Sequence, residues 1–125
     1  MSNNLKIADL SNLTYKVVYD STLTSTAIVD VTQGSGYLYS IAVANTDAND
    51  AGTLKICLSA TSVTVGGNSG TPPDIEVKVT ANTTTKIQIP GGVAFSKLSL
   101  WQTTHPADDS TTSSSTAFAV YLVTS

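Results

Sequence analysis

Residues 74–80 read DIEVKVT, and the stretch alternates without a fault: Ile75, Val77 and Val79 on one side, Asp74, Glu76 and Lys78 on the other. Successive side chains of a strand point to opposite faces, so a period of two sets an apolar row on a core and a charged row in water. The pattern recurs on both sides of this segment. Upstream, TLKICLS (residues 53–59) puts Leu54, Ile56 and Leu58 on one face and Lys55 and Cys57 on the other, which points the cysteine away from the core. Downstream, TTKIQIP (residues 84–90) turns Ile87 and Ile89 inward.

Farther out stand LTYKVVYD (13–20), AIVDVT (27–32), YLYSIAVAN (37–45), VAFSKLSLWQTT (93–104) and TAFAVYLVT (116–124). Between the segments lie turn-forming residues: Gly34-Ser35-Gly36, TDANDAG (46–52), VTVGGNSGTPPD (63–74), Pro90-Gly91-Gly92 and HPADDSTTSSS (105–115). Glycine tolerates positive φ and proline cannot donate to a ladder, so these clusters end strands. No window repeats apolar residues at the three-four spacing of an amphipathic helix. The reading is all-β: a jelly-roll-like antiparallel β-sandwich of about eight strands. A chain of 125 residues suits one domain, placed at residues 13–125. Residues 1–12 stand apart as an N-terminal arm, where Leu5, Ile7 and Leu10 are spaced among polar residues. That segment reads equally as an arm that docks or as an end that frays.

Composition narrows the function classes. Charged residues make up 12% of the chain, the net charge is −3, and all six basic residues are lysine. Without arginine the chain lacks the bidentate fork that grips phosphate, so a nucleic-acid partner is not expected. Cys57 is the only cysteine, which rules out an intrachain disulfide and leaves stability to packing or assembly. The first twelve residues lack the apolar run of a signal peptide, and the apolar stretch 117–123 is too short to span a bilayer, so neither secretion nor a membrane anchor is expected.

The search for chemistry yields little. His105, the only histidine, sits near Asp108 and Asp109. A hydrolase would need one of sixteen serines as nucleophile, yet no GxSxG elbow exists, and the segment reads as a solvated turn. Asn45, Asp47 and Asn49 alternate like the start of a calcium loop, but Asp50 stands where that loop wants glycine and Ile56 where it wants glutamate. An Asx turn explains them better. GGNSG (66–70) has neither the lysine nor the helix of a phosphate cradle. No catalytic residues, cofactor or metal are therefore expected.

Surfaces carry more. Trp101 shares a strand face with Lys97, Ser99 and Thr103, opposite Leu98 and Leu100, so parity predicts an indole outside the core. It reads either as an interface anchor or sugar platform, or as packing at a core edge. Tyr121 is likewise out of phase with Phe118, Val120 and Leu122, and Ser40, Ala42 and Ala44 form a small-residue face that another layer could approach.

The succession YSIAVANT, LKICLS, VTVGG, PPDIEVKV, KIQIPGGVAFSKLSLW and AVYLVT, within residues 37–124, resembles small virion structural proteins of tailed bacteriophages. The shared features are a strand ending in Asn-Thr, a Val-Gly loop before Pro-Asp, and a Pro-Gly-Gly turn before Ala-Phe-Ser. The resemblance implies a homo-oligomer, often a trimer, on the head or tail of a virion, and without a signal peptide the chain is expected to be made in the host cytoplasm. The first expectation is a capsid decoration (cement) protein that binds the major capsid protein or another lattice protein and braces the shell. Leu5, Ile7, Leu10, Trp101 and Tyr121 are its expected interface residues. The other expectation is a receptor- or carbohydrate-binding fibre or tail module.

Overall fold

The structure, a computed structural model, describes residues 15–66, 70–104 and 116–125. These residues form seven strands and no helix: β1 (Lys16–Leu23), β2 (Gly36–Asn45), β3 (Gly52–Cys57), β4 (Ile75–Val79), β5 (Thr83–Phe95), β6 (Ser99–Thr103) and β7 (Phe118–Thr124). They make two antiparallel sheets, one of order β1-β7-β2-β5 and one of order β4-β3-β6. The residues given to the arm, Leu5, Ile7 and Leu10 among them, lie outside the described residues, as do His105, Asp108 and Asp109.

Alternation decides which way each sheet faces. In β2 the buried residues are Leu38, Ile41 and Val43, in β7 Phe118, Val120 and Leu122, in β3 Leu54 and Ile56, and in β4 Val77 and Val79. With Leu23, Phe95, Leu98 and Leu100 they form one hydrophobic cluster drawn from both sheets. The sheets meet closely at Gly52, where an added Cβ would stand 2.5 Å from the tip of the Phe118 ring. The ring occupies the volume that any other residue at position 52 would need.

Three expectations change. AIVDVT forms no strand: only Ile28 bridges, with Leu100, although Val31 N–H still donates to the Leu98 carbonyl at 2.8 Å. Asp30 and Gln33 take φ of 54° and 55°, a left-handed conformation that breaks extended pairing. The turn is held locally, by Gln33 N–H on the Asp30 carbonyl and by Gly34 N–H on the Asp30 carboxylate. Pro90-Gly91-Gly92 does not separate two strands either. It lies inside β5, where register passes from Ser40↔Gln88 to Leu38↔Val93, so the β5 side carries the extra residues of a bulge. Gly91 and Gly92 make that possible with φ of 79° and 76°. Finally, VAFSKLSLWQTT is two strands. Its first three residues finish β5 in the larger sheet, and the chain then crosses to β6 in the smaller one, with Ser96 and Lys97 N–H both on the Leu58 carbonyl. The seven strands thus replace the eight expected.

Gly52→Ala is expected to lower unfolding free energy by about 1–3 kcal/mol in urea denaturation with an unchanged slope, the cost of overfilling a packed core. A neutral result would mean that Phe118 does not seat on Gly52.

Candidate interaction surface

The apolar row of β1, β7 and β2 that faces the core leaves the opposite row outward, and the sheet register assembles that row into a surface. Tyr19 pairs with Tyr121, Tyr121 with Ala42, and Ala42 with Lys86. On one side of this row lies the row Val17, Val123, Ser40 and Gln88, and on the other the row Ala119, Ala44 and Thr84. In the Tyr19 and Val17 rows the bulky side chains stand on β1 and β7, and small or polar ones on β2 and β5.

At the end where β2 begins, the aromatic surface continues. A β-bulge between Leu38 and Ser40 puts Tyr39 and Ser40 both on the outward side. The Tyr39 ring meets Tyr15 edge-on at 5.1 Å and Tyr37 at 6.4 Å. It lies over Gly92, where a Cβ would come within 2.8 Å of the ring, so the bulge glycine also makes room for an aromatic side chain. Tyr19 and Tyr121 stack at 4.3 Å with 31° between their planes. All five tyrosines of the chain thus lie on one sheet face. Val17 is 68% exposed, and Tyr15, Tyr19, Tyr37 and Tyr121 lie between 48% and 55%. Isolated exposed apolar residues need no explanation, but a contiguous set on one sheet does.

Tyr121 therefore stands where parity put it, in the open, and the neighbouring Tyr19, by hydrogen bond and by charge, pushes its phenol above the ordinary range. Trp101 does not stand in the open. It lies opposite Lys55 in the β3–β6 ladder, on the face away from Leu100 as parity requires, but it is only 2% exposed. Parity distinguishes the two faces of a strand and cannot tell whether the second face is covered; every residue of β3 and β6 is buried. Cys57 follows the same rule. It is buried, its thiol donates to the Pro72 carbonyl at 3.5 Å, and burial, with Asp74 nearby, pushes the thiol pKa up.

The Asx turn expected after β2 is present. The Asn45 carbonyl oxygen of the side chain accepts from Asp47 N–H, and the Asp47 carboxylate accepts from Asn49 and Asp50 N–H at 2.9 Å and from the Thr116 hydroxyl at 3.2 Å. These side chains close a loop, and among the described residues no group of three or more histidine, cysteine or acidic side chains is arranged to hold a metal. An open depression of about 670 Å³ lies beside this loop, its mixed lining including Asp50, Ala51, Thr53, Glu76, Lys78 and Thr104. It offers charges of both signs and no nucleophile–base pair.

Two replacements separate the two aromatic positions. Trp101→Ala is expected to cost about 3–5 kcal/mol, as for other buried aromatics, whereas Tyr121→Ala gives up only a half-exposed ring and its stacking with Tyr19 and costs the isolated domain far less. Ultraviolet titration should find the Tyr121 phenol ionising above the usual value near pH 10, and Tyr19→Phe should lower it; a Tyr121 titration that Tyr19→Phe leaves unchanged would contradict the pairing. Because that folded value is raised, any stability tied to Tyr121 is complete below the unfolded value and declines as pH rises through the folded one.

No protein-family model, curated protein or solved structure matches the chain.

Proposed function

We propose that the protein is a structural virion component, a capsid decoration (cement) protein that binds the assembled phage head and stabilises it. In this reading the domain is a jelly-roll-like β-sandwich, residues 1–12 are a docking arm carrying Leu5, Ile7 and Leu10, and the major capsid protein or another lattice protein is the partner. The observation that carries a surface role is the outward sheet face bearing all five tyrosines. Aromatic side chains bring large contact area at low entropic cost, which is what an assembly surface needs. The run of motifs from YSIAVANT to AVYLVT supplies the link to virions. A second reading, a receptor- or carbohydrate-binding fibre or tail module, loses Trp101 as its platform, because that indole is buried. It keeps the exposed tyrosines, whose rings can stack on sugars.

Purified protein mixed with undecorated capsids should cosediment with them and raise their resistance to heat. Deleting residues 2–12 should abolish binding while the domain stays folded. Capsids that neither bind nor gain resistance would end the decoration reading, and a glycan-array signal lost in Tyr121→Ala would put the sugar-binding module in its place.

A further inference from the structure

We infer that the tyrosine-bearing face of the larger sheet is a self-complementary interface that pairs two copies of this chain about a two-fold axis. The inference rests on the reading of that face as an assembly surface and names its occupant.

Area comes first. At roughly 200 Å² per tyrosine, the four half-exposed tyrosines alone show on the order of 400 Å², already the largest apolar patch that an ordinary monomer carries. Val17, Val123, Ser40, Ala42, Lys86 and Gln88 extend the same surface toward the roughly 800 Å² per partner of a standard interface.

Shape and charge come next, and they select the occupant. In two adjacent rows the bulky residues stand on β1 and β7 and the small ones on β2, with a long polar side chain beyond on β5: Tyr19, Tyr121, Ala42, Lys86, then Val17, Val123, Ser40, Gln88. A two-fold axis along the strands, above the gap between β7 and β2, lays every row on its own reverse. Tyr121 of one copy then fills the space above Ala42 of the other, and Val123 the space above Ser40. Lys86, the one charged side chain in these rows, arrives over the exposed Tyr19 ring, where an ammonium is attracted to the aromatic face. No acidic residue stands in the rows to compete for it. Face-to-face sheets pack about 10 Å apart with strands within about 30° of one another, a geometry that side chains of this height fill. A three-fold axis joins two different patches, so it cannot lay a row on its own reverse.

Sedimentation equilibrium of the full chain across micromolar concentrations tests the pairing. The expected mass is twice that of the chain, with Tyr121→Ala, Ala42→Tyr and Lys86→Glu each weakening association at least tenfold. The double variant Tyr121→Ala/Ala42→Tyr exchanges large for small at two positions that face each other, and it should recover most of the lost affinity. Lys86 is exposed on the edge strand β5, so its variant keeps the test valid if either aromatic change disturbs folding, which circular dichroism would reveal. A monomer at every concentration, a three-fold mass, or a dimer indifferent to these changes would overturn the inference. A monomer that still binds capsids would sink the pairing and leave the virion role standing, whereas a dimer that ignores capsids would do the reverse.

Discussion

The last strand of the chain is threaded between the first and the second, and the larger sheet depends on that placement. β7 bonds β1 on one side and β2 on the other, so neither neighbour has a complete ladder until residues 118–124 arrive. β1 and β2 have no pairing with each other to fall back on. The core has the same dependence, because Phe118, Val120 and Leu122 join the cluster that Leu54, Ile56 and Val77 complete from the smaller sheet. Contacts of such long sequence separation are slow to form, since the loop entropy is spent before the contacts repay it.

The same strand creates the outward face. Because side chains alternate, the residues that bury Val120 and Leu122 also present Tyr121 and Val123, and insertion of β7 beside β1 and β2 brings Tyr121 between Tyr19 and Ala42. The surface is therefore a consequence of topology as much as of composition. Tyrosines that are 102 positions apart in sequence stack because β1 and β7 are neighbours. Bulges finish the arrangement: one in β2 turns Tyr39 outward, and the Gly91-Gly92 bulge in β5 makes room beneath it.

Much of this was legible along the chain. Strict alternation in 74–80 and from Ser40 to Asn45 locates β4 and most of β2 and assigns their faces, because a period of two has one physical cause. What failed had competing causes. AIVDVT has strand composition, but the local hydrogen bonds of Asp30 favour a left-handed turn over continued pairing. Pro90-Gly91-Gly92 has the composition of a hairpin turn, yet the same φ freedom serves a bulge. For Trp101 alternation gives the right side and leaves both alternatives open, because it says nothing of what covers that side; burial selects packing over an exposed platform. The gathering of Tyr15, Tyr19, Tyr37, Tyr39 and Tyr121 needed strand order, which periodicity does not contain; only Tyr121 and the Ser40, Ala42, Ala44 row could be placed outward beforehand.

The central claim is that this sheet face is covered in the assembled protein. Hydroxyl-radical footprinting of the intact chain over a dilution series reads it directly, because tyrosines label in proportion to their exposure. Tyr19, Tyr37 and Tyr121 are predicted to be protected at high concentration and to become reactive on dilution, while Lys78 on the smaller sheet stays equally accessible throughout. Labelling of the three tyrosines that does not change with concentration, with capsids absent or present, would contradict the account.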